Sequence, residues 1–374
     1  MTVIGLLLAA LAGIAVAQSG DLVTVLNSTN GTSTIGEVVG QVPGFLEAIS
    51  GKTNLTVLAP NDTAIAELLA GPRGQALEDA GTDYLLNLLL YHVINGGYGN
   101  ITDYTVAPTL LTSSNYTNVT GGQHVAFYWD DDEDLVGFYG GNDYKPEASH
   151  TSIPFDQGWI YVIDGVLQIP PAMSETVTSG DFNGSSFVAA LEKAGLKEEF
   201  DQLHDATYFV PVNDGFDAVE DALSKLSTEE LVEVLRYHVV AGKVWDFEQL
   251  EEVTQVTTLQ GKNLTVSMTP DEEWYINQAG VSYTDLTAAG GVIIFIDNVL
   301  NPFAGFAPPR NGTDGDGVPA FAVSNATSTS GPGVSSTASA TGGAASSTYT
   351  GVAAMPLSVG ISSLLGGVAV ALLL

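Results

Sequence analysis

Five blocks of sequence occur twice, in the same order, roughly 140 residues apart. LTVLAPNDTAIAELL (55–69) answers to TYFVPVNDGFDAVEDAL (207–223): an apolar run, a proline, Asn-Asp, then an apolar helical pattern. YHVINGG (91–97) answers to YHVVAGK (237–243), and GFLEAISG (44–51) to SFVAALEKAGL (186–196). VTGGQHVAFYW (119–129) answers to LQGKNLTVSM (259–268), and WIYVIDGVLQIP (159–170) to VIIFIDNVLNPF (292–303). A period this long exceeds the roughly 20–45 residues of a solenoid repeat, so each copy must be a domain with its own core. The chain therefore reads as two related domains, 19–169 and 170–305, which differ mainly by an insertion, WDDDEDLVGFYGGNDYKPEASH (129–150), in the first.

Within a copy, β-branched and aromatic runs such as Leu55-Thr56-Val57-Leu58 and Val292-Ile293-Ile294-Phe295-Ile296 read as strands. STEELVEVLRYHVV reads as a helix with a capping box, Ser227 at the N-cap and Glu230 three residues on. The class is α+β, with antiparallel strands in each domain. Leu85, Leu88, Leu89 and His92 fall at i, i+3, i+4 and i+7, as do Leu231, Val234, Leu235 and His238. Both histidines therefore lie on a core-facing stripe in the last helical turn, where imidazole meets unpaired carbonyls. Gly96 and Gly242 follow at a helix-stop distance. A buried imidazole needs partners, since an unpaired polar group costs about 1–3 kcal/mol. The recurring Asn61-Asp62 and Asn213-Asp214 are the natural candidates, and each pair also stands where it would cap a helix.

Both ends of the chain carry expectations of their own. Residues 1–17, MTVIGLLLAALAGIAVA, are a short apolar stretch closing on Ala15-Val16-Ala17, as in a secretory signal peptide. Residues 306–350 are rich in Ser, Thr and Gly and read as a stalk. The apolar tail 351–374 lacks a following Lys or Arg and reads as a GPI-attachment signal, with Gly342, Gly343, Ala344 or Ser346 as the attachment residue. Eleven N-x-S/T sequons begin at Asn27, Asn30, Asn54, Asn61, Asn100, Asn115, Asn118, Asn183, Asn263, Asn311 and Asn325. All but Asn61, whose side chain is expected to serve as a helix cap, are taken as glycosylation candidates. With no cysteine, neither a disulfide framework nor thiolate chemistry is available. Ten basic residues against 43 acidic ones, a formal net charge of −33, exclude a nucleic-acid partner and direct docking on anionic lipid. Contact with a membrane is expected only through a lipid anchor in the outer leaflet.

No G-x-S-x-G, H-E-x-x-H or phosphate-loop motif occurs, and His124, His150 and His204 share no metal-ligand spacing. Asp130, Asp131, Asp132, Glu133 and Asp134 resemble an EF-hand start, but Leu135 stands where the loop needs glycine and Gly141 where it needs glutamate. A solvated acidic loop is the expectation, with no catalytic residue, metal or cofactor.

The combination of an apolar run with Pro and Asn-Asp, then L-x₂-LL-x-YHV or L-x₂-VL-x-YHV, then a late I-D-x-V-L, resembles the fasciclin-like domain, and the resemblance covers both copies. It implies a wedge-like antiparallel β-sandwich flanked by helices in each of two tandem domains. It further implies a non-enzymatic role in cell adhesion or in organising extracellular matrix or cell wall, often on GPI-anchored proteins. The partners implied are matrix or wall components, another surface protein, or a second copy of the chain. Carried over from members in which this region is implicated in integrin binding, it marks Tyr91, His92, Tyr237 and His238. The layout as a whole resembles a fungal cell-surface member. Two alternatives stand beside this: a carbohydrate- or polyphenol-binding wall protein, using Trp129, Phe138, Tyr139 and Tyr144 of the insertion as stacking faces, and a wall-polymer esterase.

Overall fold

The computed structural model describes residues 20–180, 182–304 and 319–321. The leader, the attachment residues Gly342, Gly343, Ala344 and Ser346, and the sequons Asn311 and Asn325 lie outside the described residues.

The first copy runs α1 (Leu22–Ser28), α2 (Ser33–Gln41), α3 (Phe45–Ile49), β1 (Leu55–Pro60), α4 (Asp62–Ala70), α5 (Pro72–Tyr91), β2 (Val93–Ile94), β3 (Thr105–Pro108), β4 (His124–Asp130), β5 (Leu135–Tyr139), β6 (Glu147–Ser149), β7 (Ile153–Phe155) and β8 (Gly158–Ile163). The second runs α6 (Met173–Thr176), α7 (Ser185–Ala194), α8 (Lys197–Asp201), β9 (Ala206–Pro211), α9 (Asn213–Leu223), α10 (Thr228–Arg236), β10 (Val239–Val240), α11 (Phe247–Glu251), β11 (Gln255–Thr257), β12 (Asn263–Met268), β13 (Trp274–Ile276), β14 (Ala279–Ala288) and β15 (Gly291–Ile296). Each copy is a layer of helices on one sheet, with a second sheet behind it.

β1 is buried at all six positions because both of its faces are covered. Leu55, Val57 and Ala59 face the helices with Leu26, Ile35 and Leu89. Leu58 faces the second sheet, among Val125, Phe127, Phe138 and Tyr161. β9 repeats this, with Tyr208 and Val210 toward the helices and Phe209 toward the second sheet.

Most pairings are antiparallel, but one in each copy is parallel: β1 with β8, and β9 with β15. These strands come from opposite ends of a copy, so the chain between them crosses over through helices and the second sheet and returns in the same direction. The first copy keeps two four-stranded sheets, β2-β1-β8-β7 and β3-β4-β5-β6. In the second, the ten-residue β14 pairs with β13 at one end and β15 at the other, fusing both into one seven-stranded sheet. The fusion requires register shifts between Val281 and Leu286, and Asp285 there takes φ 58°.

The registers also correct two block alignments. Pro60 opposes Ile163 and Pro211 opposes Ile296, so the prolines are equivalent. Asn61-Asp62 therefore matches Val212-Asn213, and the two Asn-Asp pairs are one residue out of step. Likewise α7 (185–194) matches α2, not the 44–51 segment, because both helices are capped from that same position, as described below.

The copies meet through polar contacts. Thr120 donates from its N–H and hydroxyl to the two carboxylate oxygens of Asp205, each at 2.7 Å. Gln123 Nε2 donates to Ala288 O, Tyr104 to Asp285 Oδ2 at 2.9 Å, and Tyr283 to Asp143 Oδ1 at 2.6 Å. Burial, reinforced by Asp246 and Glu248, pushes the Asp285 carboxyl up to about 7.

β8 and β15 each open on a glycine whose Cβ would overlap a carbonyl of its parallel neighbour: Leu55 O for Gly158, Ala206 O for Gly291. Gly291→Ala is expected to cost about 3 kcal/mol in urea unfolding, as an overpacked core position does. Gly20→Ala, whose Cβ would meet only ordinary contacts at 3.6 Å, is expected to leave the midpoint unchanged. Equal midpoints for the two variants would contradict the close approach.

Candidate functional site

α5 and α10 end at the Tyr-His pairs, and the histidines are 4% and 0% exposed. Each ring bridges two elements. His92 Nδ1 meets Leu88 O at 2.7 Å, one turn back on its own helix, and Nε2 accepts from Leu167 N at 3.0 Å. His238 Nδ1 meets Val234 O at 2.8 Å and Nε2 accepts from Leu300 N at 2.9 Å. A carbonyl can only accept and a backbone N–H can only donate, so both rings are neutral with the proton on Nδ1. Burial pushes each imidazole down to about 4. The histidine carbonyls take a third bond, from Leu58 N and Phe209 N, each at 2.8 Å, which starts the short pairing of β2 with β1 and of β10 with β9.

The tyrosines brace the second sheet. Tyr91, fully buried, donates to His124 O at 3.1 Å, and Tyr237, 6% exposed, to Asn263 O at 2.9 Å. Those acceptors are the first residues of β4 and β12. Asn277 Nδ2 adds a bond to the Tyr237 hydroxyl.

Sequence reasoning missed the other half of this brace. Leu167 and Leu300 are the last residues of the two I-D-x-V-L segments, whose aspartates also act in parallel. Asp164 exchanges bonds with Glu147 at the start of β6, N–H to carbonyl at 2.9 Å and carboxylate from N–H at 2.7 Å. Asp297 does the same with Gly280 in β14, at 3.0 and 2.8 Å. Thr56 donates to Gly96 O and accepts from Tyr98 N, while Thr207 accepts from Trp245 N at 2.8 Å in the equivalent loop. The repeated I-D-x-V-L and the repeated threonine after the strand's first residue were visible signals; the bonds they make were not.

The Asn-Asp pairs are not the partners of the histidines. Asn61 is the N-cap of α4, its Oδ1 accepting from Ala64 N at 2.8 Å. Asp62 reaches the start of α2, accepting from Thr34 N at 2.8 Å and Ser33 Oγ at 3.0 Å. Because of the one-residue offset, Asn213 performs the task of Asp62, accepting from Ser186 N at 2.8 Å at the start of α7. The cap of α9 is Val212, which has no side chain to offer, and Asp214 lies in the first turn. The cap expected of Asn213-Asp214 is thus absent. Gly96 and Gly242 do not stop the helices either, since the two-residue strands β2 and β10 intervene. By contrast, the Ser227–Glu230 capping box is present on α10.

The acidic run forms the β4–β5 hairpin tip, where Asp130 Oδ1 accepts from Asp132 N and Glu133 N. Asp130, Asp131 and Asp132 are the one group among the described residues whose ligand atoms lie within 4.8 Å of each other. Of the insertion's aromatics only Tyr144 is exposed, with the Arg73 guanidinium 5.5 Å from its ring. Phe138 is fully buried, and Trp129 and Tyr139, half-buried, stack on His150 at 4.6 Å and on Tyr128 at 5.8 Å. His150 Nε2 bonds Ile101 O, and His204 is exposed elsewhere. Of the sequons, Asn27, Asn30, Asn54, Asn100, Asn115, Asn183 and Asn263 are exposed. Asn118 is half-buried between the copies, its N–H on Ala289 O and its carbonyl accepting from Asp205 N.

The profile of the Fasciclin domain matches residues 30–170 and 183–302. A fasciclin-like arabinogalactan protein of Arthroderma benhamiae is 29% identical over 301 residues, covering 79% of this chain and 70% of that protein. One from Phaeosphaeria nodorum is 27% identical over 299 residues, covering 76% and 90%. Among solved structures, a FAS1 domain pair from the insect cell adhesion molecule Fasciclin I aligns at 18% identity and a TM-score of 0.35, over 72% of this chain and 96% of that one.

His238→Ala leaves Val234 O and Leu300 N–H unpaired beside a cavity and is expected to cost about 4 kcal/mol. Tyr237→Phe, which strands Asn277 and Asn263 O, is expected to cost about 1–2 kcal/mol; urea unfolding of both variants reads the order. The pH dependence has a definite sign. Unfolded histidines protonate near 6.5 while the folded rings stay neutral down to about 4. Their contribution is therefore complete above pH 6.5 and is lost on acidification, about 3 kcal/mol per histidine by pH 4. Asp285, raised from 3.8 to about 7, works in the opposite direction, favouring the fold at low pH and losing that contribution as pH rises to 7. Asp285→Asn should thus make the loss of stability between pH 7 and 4 steeper; a flat profile in that variant would contradict the histidine account. At Asn61, whose Oδ1 is committed to the cap, glycopeptide mapping should find no glycan where Asn30 carries one.

Proposed function

The chain belongs to the fasciclin family, with both copies matched by that domain, and we propose that it is a non-enzymatic cell-surface glycoprotein of cell adhesion or of matrix and cell-wall organisation. The observation that carries this reading is the internal use of the recurrent motif. The ring nitrogens of His92 and His238 and the hydroxyls of Tyr91 and Tyr237 are all spent on bonds inside their own domain. An imidazole with both nitrogens bonded and its proton affinity pushed down to about 4, as in His92 and His238, is poorly suited to acid–base work at neutral pH, and burial holds the two phenols protonated. The motif therefore builds a scaffold, and contact with partners falls to the outer surface. Adhesion lost on mutating the pairs would follow from unfolding of the brace rather than from direct contact.

The relatives named as arabinogalactan proteins support a glycan-bearing surface. The seven exposed sequons lie on both copies. Under this reading the leader directs secretion and a GPI anchor at one of Gly342, Gly343, Ala344 or Ser346 holds the protein on the outer face of the plasma membrane, below a wall. Treatment of intact cells with phosphatidylinositol-specific phospholipase C is expected to release the protein and to weaken cell–cell and cell–surface attachment. Release with attachment unchanged would contradict the adhesive role, and retention on the cell with the apolar tail present by mass spectrometry would contradict the anchor.

A further inference from the structure

The first copy has an apolar cavity in a place where the second copy carries two phenylalanine rings. It measures about 210 Å³ and lies between α2, α4, α5 and β1, against residues that include Ile35, Ile65, Leu85, Leu88, His92 and Val166. The repeat supplies its own comparison. Ile35 follows the capped Ser33-Thr34 as Phe187 follows the capped Ser185-Ser186, and Ile65 lies five residues past Pro60 as Phe216 lies five past Pro211. In the second copy the Phe187 ring is fully buried, 6.3 Å from Phe216 and 5.8 Å from the His238 ring. In the first, two isoleucines stand in place of those rings, and the face of His92 borders the space. Native interiors seldom leave a void of this size without use.

A second observation concerns charge. A polar recess of about 350 Å³ adjoins the cavity, sharing Leu68, Leu77 and Leu88 with it, and is lined by Arg73, Tyr84, Asn142, Gln168 and the exposed Glu175. Arg73 Nη2 donates to Val166 O at 3.0 Å and Leu167 O at 3.2 Å, which fixes its guanidinium at the junction. In a chain with 43 acidic and 10 basic residues, this guanidinium has no carboxylate within ion-pair distance among the described residues. Tyr84 and Tyr144, both uncharged phenols at neutral pH, lie beside it, and burial lowers its proton affinity. A planar donor fork held beside an apolar hole matches a carboxylate on a hydrocarbon tail.

We propose that the first copy binds a small amphipathic carboxylate of the fatty-acid type, with its aliphatic tail in the cavity beneath α4 and α5 and its carboxylate on Arg73. This site is independent of the surface role, and neither depends on the other.

The test is fluorescence titration of the full chain with 11-(dansylamino)undecanoic acid, followed by displacement. Saturable binding of one probe per chain is expected, with dodecanoate displacing it at least tenfold better than 1-dodecanol. Arg73→Gln should weaken binding at least tenfold. Ile35→Phe with Ile65→Phe, which copies the second domain, should abolish binding with an unchanged melting temperature; Ile65→Phe alone serves if the pair does not fold. Absence of saturable binding would overturn the proposal. So would binding that survives the cavity-filling variants, which would place the probe on another apolar segment, and so would equal displacement by the alcohol.

Discussion

A backbone N–H donated to a neutral imidazole, from Leu167 to His92 and from Leu300 to His238, ties the far end of each domain to the helix that precedes the short strands β2 and β10. The bonds span 75 and 62 residues of sequence. Histidine suits this position because one rigid ring offers a donor and an acceptor on opposite sides. The donor closes a helix end that would otherwise present unpaired carbonyls, and the acceptor satisfies an N–H that has no strand partner. Around it, Tyr91 and Tyr237 reach the second sheet and Asp164 and Asp297 reach the same sheet from the other side. Helix layer, first sheet and second sheet are thus held in register by a few polar bonds, of which those to the two histidine rings are fully buried.

Two copies of this scaffold have diverged in ways that follow from physical constraints. In the second, β14 carries bulges that let one strand serve two sheets; in the first, the corresponding run is split into β6 and β7. The contact between copies uses this difference, because Tyr283 and Asp285, which lie within the bulged stretch, bond Asp143 and Tyr104. The helix-side cores have diverged too, toward phenylalanine in one and isoleucine in the other. A domain that needs to pack only itself has little reason to keep a void, whereas its twin, stabilised by the same brace, can carry one.

Much of this was legible in the sequence because it depends on local pattern. The repeat gave two domains, the i, i+3, i+4, i+7 spacing placed His92 and His238 inside, and Ser227 with Glu230 marked a helix start. What could not be read were choices made in three dimensions. Identical Asn-Asp letters invited an alignment that the sheet register breaks by one residue, since Pro60 and Pro211 occupy the same rung. The histidines needed partners, and the nearest polar side chains in the repeat were assigned to them. The actual partner is a backbone group, and every residue has one of those. The parallel pairing of β1 with β8 was hidden for a similar reason, because both strands are apolar on both faces and carry no direction in their pattern. Trp129, Phe138 and Tyr139 looked like exposed aromatics on an insertion, yet they extend the second sheet and pack against it.

The central claim is that both motif histidines are neutral braces protonated on Nδ1. Long-range ¹H–¹⁵N correlation spectra of the ¹⁵N-labelled chain, recorded from pH 7 to pH 4.5, test it directly. The account predicts that the His92 and His238 rings show the Nδ1–H tautomer and keep their neutral shifts across that range. Titration of either buried ring near pH 6.5, or an Nε2–H tautomer at either position, would contradict it.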